Sequence, residues 1–246
     1  MMRISRCIRI SIVILAIFGV SGILTAGPEK NENAIIPLPA PLKKGDLSIE
    51  TALQNRRSTR RYENSPISLK SLGQILWAAQ GINTKRDKPP AFWGERDWPG
   101  GLRTAPSAGA LYPLDVYAAV GNVEDLAPGI YRYLPGKHAL EHKAEGDRRK
   151  DLSWAALGQA YVRDGAVVLI ITGVYARLAV KYGERSQRYA HIETGAAGQN
   201  VYLQTQSLGL GTVMVGAFND KEVQSVLGLA QDEIPLAIMP VGKKTP

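Results

Sequence analysis

Arg56-Arg57-Ser58-Thr59-Arg60-Arg61-Tyr62 places four guanidinium groups and two aliphatic hydroxyls within seven residues. A short amphipathic run with Ile49 and Leu53 precedes it. Arginine forks, hydroxyls and backbone N–H donors together suit a phosphate monoester. Taken alone, the same cluster also reads as a solvated basic surface or a nucleic-acid patch. The residues on either side of it separate these readings.

Upstream, Arg3, Arg6 and Arg9 lead into the apolar run Ile10 to Val20, followed by small residues up to Ala26. A basic start, a short apolar core and small residues predict a secretory signal peptide over residues 1–26, cut after Ser21 or Ala26. The alternative is an uncleaved membrane anchor, since Ile10 to Ala26 is 17 residues, near the short limit of a span. Export to the periplasm is therefore expected. Cys7, the only cysteine, precedes the apolar run, so the mature chain has no disulfide, thiolate metal site or Cys nucleophile. The three histidines, His138, His142 and His191, form no ligand-like cluster, so no metal is expected; His138 and His142 read as surface residues. The formal charge of +8 falls to +5 (8 − 3) without Arg3, Arg6 and Arg9. That suits an anionic ligand and does not require nucleic acid, for which no zinc-finger or aromatic ribonucleoprotein motif is present.

Residues 27–46, rich in Pro, Lys and Asn, predict an extended linker outside the core. Residues 47–246 form the folded domain, and a 246-residue chain with 45% hydrophobic residues supports one sizeable core. Ser68 caps a predicted helix over 69–80 that ends at Gly81. Residues 83–103 show no periodicity and read as a long loop; its Phe92, Trp93 and Trp98 suit either stacking on a planar ligand or pinning to the core. Strands are expected over 114–120, 129–134, 166–174, 211–218 and 235–241. Helices are expected over 151–157, 192–208 and 222–227, the last capped by Asp220. A basic, Tyr-rich helix or lid carries Lys181 and Tyr182. Helices and strands without sustained alternation predict an α+β domain with a mostly antiparallel central sheet flanked by helices.

Several chemistries lack their signatures. Gly209-Leu210-Gly211 has no third glycine at dinucleotide spacing, and no phosphate-loop or nucleophile-elbow motif occurs. A redox role carried by a bound cofactor fits this lack of localised acid–base groups. Four stretches in order are the 56–62 cluster, Pro106-Ser107-Ala108-Gly109-Ala110-Leu111-Tyr112-Pro113, the 207–218 run ending Val215-Gly216-Ala217-Phe218, and Pro240-Val241-Gly242-Lys243-Lys244. With these the chain resembles the FMN-dependent nitroreductase superfamily, in particular its SagB/thiazole-oxidase-type dehydrogenase branch.

The resemblance implies a nitroreductase-like fold and an intertwined homodimer. It implies that Arg56, Arg57, Ser58 and Arg60 hold the FMN phosphate and ribityl chain, joined by Lys243 and Lys244. It places Pro106, Ser107, Ala108, Gly109 and Ala110 of the partner subunit against the flavin. Many nitroreductases carry an Asn where this loop has Ala110, which alters the polar contacts to the ring. Gly216, flanked by Val215 and Ala217, would offer its N–H to the flavin N5 edge. Lys181-Tyr182 resembles the catalytic pair of azoline oxidases; an ordinary surface pair is the alternative. The implied activity is ping-pong electron transfer to or from a small organic substrate of quinone or nitroaromatic type, with NAD(P)H a candidate donor. The alternatives are a dehydrogenase of a peptide or azoline-type substrate and a non-catalytic flavin-binding protein.

Overall fold

The apolar run from Ala166 onward is buried on both faces because it lies at the centre of a sheet. The computed structural model describes residues 34–91, 93–94 and 98–245. Strand β7 (Val167–Val174) pairs antiparallel with β4 (Leu114–Val120) on one side and β9 (Glu233–Lys243) on the other. Outward from β4 lie β5 (Gly129–Leu134), β6 (Ala139–Glu145) and the short edge strand β1 (Ile35–Pro37). Outward from β9 lies β8 (Leu210–Thr212). All pairings in this seven-stranded sheet are antiparallel.

Strand side chains alternate between the sheet's faces, so each central strand feeds two cores. Val116, Ala118, Leu169 and Ile171 join one cluster with Leu72, Ile75 and Leu76 of α2 (Leu69–Gln80) and Ala197 and Val201 of α6 (Ser186–Ser207). Tyr117, Ala119, Val168 and Ile170 join the other. There they meet Leu152 and Ala155 of α3 (Arg149–Ala155), Val162 of α4 (Ala160–Asp164), and Val223 and Leu227 of α7 (Asp220–Leu227). Each fully buried Leu or Ile contributes about 1.5–3 kcal/mol, so the two cores rather than helix propensity hold the layers together. The remaining helices are α1 (Ile49–Asn55) and α5 (Ala176–Tyr182).

Several local expectations need correction. The Pro-rich stretch is extended, but its Ile35–Pro37 portion pairs with β6 and Leu38 is buried in the core. Pro37 is tolerated because it ends an edge strand. The expected loop over 83–103 holds a two-stranded hairpin, β2 (Ile82–Lys85) with β3 (Gly101–Arg103). The strand expected over 211–218 is shorter: β8 stops at Thr212, and the chain rejoins the sheet only at the Val215–Ile238 bridge. Asn219, not Asp220, caps α7 through its side chain. His138 is half-buried rather than a surface residue: Nε2 lies 3.0 Å from Pro39 O and Nδ1 2.9 Å from the Tyr133 hydroxyl. The first contact ties the N-terminal stretch to the ring, the second fixes the ring on β5, and burial lowers the imidazole pKa. The expected signal segment lies outside the described residues.

Candidate functional site

Helix α1 is capped by Ser48, whose side chain accepts from Thr51 N, and it closes at Arg56, whose N–H reaches Ala52 O. The 56–62 segment then runs beside β8 and the end of β9. Ser58 bridges Thr212, Thr59 N donates to Thr212 O at 2.9 Å, Tyr62 bridges Lys244, and Glu63 N donates to Lys243 O at 3.0 Å. Close approach depends on Gly211, where a Cβ would lie 2.6 Å from Thr59 Oγ1 and 2.7 Å from Thr59 Cβ. Tyr62 anchors the turn, its hydroxyl lying 2.6 Å from Thr59 O and 3.1 Å from Pro240 O. Burial pushes its pKa well up, so it stays a neutral donor.

Tyr202 of α6 ties this segment to the next. Its hydroxyl is 3.1 Å from Ser58 Oγ and accepts from Met214 N at 2.8 Å, while the Arg56 guanidinium sits 5.1 Å from its ring centroid. Arg60 lies 5.7 Å from the ring centroid of Tyr161. Val215 exchanges both backbone hydrogen bonds with Ile238, at 2.8 and 3.0 Å, leaving Gly216 and Ala217 exposed. Gln159 Nε2 holds Ala217 O at 2.9 Å. Arg56, Ser58, Arg60, Val215, Gly216, Ala217, Lys243 and Lys244 are thus linked by one chain of contacts. Arg57 is turned away from it: its Nη1 donates to Gln54 O and Arg56 O and closes α1.

Among the described residues, no carboxylate lies in ion-pair range of Arg56, Arg57, Arg60, Arg61, Lys243 or Lys244. The buried Thr212 hydroxyl, next to Ser58, has no hydrogen-bond partner. Unpaired cations around an unsatisfied hydroxyl form an anion site by donor chemistry.

The 106–110 loop lies elsewhere in the protomer. Ser107 Oγ accepts from Tyr112 N at 2.9 Å, and Ala108 N donates to Glu193 Oε1 of α6 at 2.8 Å. Gly109 has φ 61° and packs against α5, where a Cβ would sit 3.0 Å from the Tyr182 hydroxyl and 3.4 Å from Lys181 Nζ. Ala110 and Tyr112 also hold positive φ, 53° and 46°, a strained backbone for non-glycine residues. Lys181 Nζ lies 5.3 Å from the Tyr182 ring centroid, and Tyr182 meets Tyr189 edge to face. The structure therefore brings Lys181 and Tyr182 to the loop. Burial pushes the Glu193 carboxyl up to about 7, against the hydrogen bonds from Ala108 and Ser107 and the charge of Arg103. Glu193 holds the loop and Tyr202 holds Ser58. The nine-residue step from Glu193 to Tyr202 along α6 amounts to about 13.5 Å of helix rise.

Sequence reading missed Tyr202, Thr212 and Glu193. Glu193 was the legible one, a lone acid between Ile192 and the small residues of a buried helix face.

The nitroreductase family pattern matches residues 53–243. A Methanocaldococcus jannaschii protein whose name assigns it to the nitroreductases is 41% identical over 199 residues, 81% of this chain and 92% of that protein. The microcin B17-processing protein McbC of Escherichia coli is 31% identical over 148 residues, covering 57% of this chain and 54% of McbC. Among solved structures, a Ralstonia eutropha protein named a nitroreductase superposes with a TM-score of 0.71 at 29% identity, over 88% of this chain and 92% of that one. By the family match over residues 53–243 and the 41% identity to the Methanocaldococcus jannaschii protein over most of both chains, the chain belongs to the nitroreductase family.

Proposed function

We propose that the chain is an exported, homodimeric, FMN-dependent oxidoreductase that moves electrons to or from a small organic substrate of quinone or nitroaromatic type by a ping-pong cycle. The observation that carries this reading is the set of cations without carboxylate partners beside the unsatisfied Thr212 hydroxyl. A phosphate monoester answers both needs, so the residues fit FMN. Arg56, Arg60, Lys243 and Lys244 neutralise the dianion, and Ser58 and Thr212 donate to its oxygens. When bound, FMN supplies the centre that takes up and releases electrons. Gly216, exposed and free of side-chain contact, lets a backbone N–H approach the ring. The 106–110 loop closes the far side and excludes water.

Dimerisation is supported by the separation of the two halves along α6 and by exposed apolar side chains nearby. Ile49 and Leu53 of α1 are 54% and 51% exposed, and Ile192, next to Glu193, is 63% exposed. In a symmetric dimer the phosphate half of one protomer meets the loop half of its partner. Export rests on the N-terminal charge and apolar pattern.

A second reading, dehydrogenation of a peptide or azoline-type substrate, is favoured by the packing of Lys181 and Tyr182 against Gly109. There Lys181 would take a proton from one ring carbon while hydride leaves the adjacent carbon, so that a double bond forms between the two.

The test is reconstitution with FMN followed by a donor and acceptor screen. The holoprotein is expected to be yellow at one FMN per chain, to bleach with a donor such as NAD(P)H or a thiazoline peptide, and to recover with a quinone or nitroaromatic. The Arg56→Ala/Arg60→Ala double variant is expected to bind FMN at least about 100-fold more weakly, since each contact to a charged group contributes about 1.5–3 kcal/mol. Colourless wild type that cannot be loaded, or unchanged FMN affinity in the double variant, overturns the assignment. Turnover of the peptide alone, lost in Lys181→Met, selects the second reading.

A further inference from the structure

A cavity of about 750 Å³ opens between the β2–β3 hairpin, the β4–β5 face and the end of β1. Arg103, Arg132 and Arg177 line it together with one buried acid, Asp115. Asp115 Oδ1 lies 3.2 Å from Arg132 Nη2 and Oδ2 lies 2.6 Å from Arg177 Nη2, so this carboxylate is fully engaged. Arg103 donates through Nη1 to Gln80 Oε1 at 2.8 Å and Leu114 O at 3.0 Å, and its guanidinium stacks 4.7 Å from the Tyr112 ring centroid. Buried Arg103 Nε and Arg132 Nε have no acceptor.

A purely structural network would be satisfied internally, because an unpaired donor inside a protein carries the full cost of desolvation. The charge is also unbalanced. Three arginines face Asp115 and, behind it, Glu233, whose Oε1 and Oε2 are taken by Thr172 and Tyr117. Among the described residues, counting both acids as ionised leaves three arginines against two carboxylates; at the rim Glu141 pairs with Lys143 at 3.8 Å and Lys137 adds positive charge. Burial pulls the Arg103 guanidinium down to about 10, with the charge of Asp115 opposing the shift. The remaining walls are aromatic. Trp93 and Trp98 meet edge to face with centroids 4.8 Å apart, Trp93 lies 6.3 Å from Tyr112, and Trp98 Nε1 is tied to Arg86 O at 2.8 Å.

We infer that this cavity binds a small aromatic monocarboxylate, its anion on the donors of Arg103 and Arg132 and its ring against Trp98. A planar carboxylate matches the arginine fork. The aromatic wall at Trp98 favours a flat ligand. The site is independent of FMN and lies behind the 106–110 loop, to which Tyr112 connects it: the Tyr112 hydroxyl accepts from Arg103 N at 3.1 Å.

The test is calorimetric titration of the folded full chain with benzoate, with benzamide as its uncharged counterpart and inorganic phosphate as a ringless anion. Benzoate is expected to bind one per chain and benzamide not measurably. Arg132→Gln, which leaves Asp115 its shorter ion pair with Arg177, is expected to weaken benzoate about tenfold or more. Trp98→Ala is expected to weaken benzoate and leave phosphate unaffected. Benzoate binding must persist in Arg56→Ala/Arg60→Ala, which separates this cavity from the proposed FMN site. Absence of benzoate binding, equal binding of benzamide, binding of phosphate tighter than benzoate in Arg56→Ala/Arg60→Ala, or unchanged affinity in both Arg132→Gln and Trp98→Ala overturns the inference.

Discussion

Glu193 shows how one buried acid couples the loop to solution pH. Its Oε1 accepts from Ala108 N at 2.8 Å, so it fixes the loop at the residue before Gly109. Burial raises its carboxyl from 4.5 to about 7, so between those values the folded chain holds a proton that the unfolded chain has released. Stability from this group is therefore fully present below about 4.5 and is lost as pH rises through about 7. Glu193→Gln keeps an oxygen acceptor for Ala108 N and removes the titration. Thermal melts should show wild type losing Tm between pH 5 and pH 8 relative to this variant, by roughly 2–4 °C for a loss on the order of 1 kcal/mol. Parallel pH profiles would show that Glu193 is not the group that titrates. The residue was visible in the sequence only as an acid on a helix; its role depends on a loop 85 residues away folding over it.

At the scale of elements, the link between the 56–62 segment and β8 is a backbone-to-backbone approach that tolerates no side chain at Gly211. A Cβ there would meet Thr59 at 2.6–2.7 Å through atoms close to the backbone, so relief requires the segment to move. Gly211→Ala should cost about 1–3 kcal/mol by overpacking and lower FMN affinity by displacing Ser58 from Thr212. The double variant Gly211→Ala/Thr59→Gly removes the atoms in conflict and should recover much of both losses in a double-mutant cycle. Additive losses, read by melts and flavin titration, would show that the contact is not what positions the segment. The sequence made the large elements legible: α2 by its periodicity and Ser68 cap, β4 and β7 by apolar runs long enough to be buried on both faces. Elements of three or four residues were hidden. β2 is polar, β1 ends in Pro37, and β8 is a fragment whose strand character comes from Lys243 and Gly242 opposite it. The start of α6 was hidden for a related reason, since Ser186 to His191 carries charged and aromatic residues without an apolar stripe. In the candidate site, the motif residues were legible as chemistry, whereas Tyr202 and Thr212 matter only through contacts that the fold creates.

For the whole molecule, the two halves of the proposed site pose a test of assembly. Arg56, Arg60 and Lys243 gather at the β8–β9 edge, while Gly109, Lys181 and Tyr182 gather where α5 meets α6. One protomer holds both halves but separates them along α6. If each site takes its phosphate half from one protomer and its loop half from the other, two differently damaged chains should repair each other. Arg56→Ala/Arg60→Ala removes the first half. Gly109→Val disables the second, because a β-branched residue at φ 61° distorts the loop and meets Tyr182. Each variant alone should retain little FMN. Random mixing of the two makes half of the dimers mixed, each with one intact and one doubly damaged site, so flavin content should recover to about a quarter of wild type. Recovery must track the fraction of mixed dimers measured by native mass spectrometry. Mixed dimers that form and stay colourless would mean that both halves serve the same protomer, and the shared site would have to be abandoned while the phosphate assignment, tested separately on Arg56 and Arg60, could still stand.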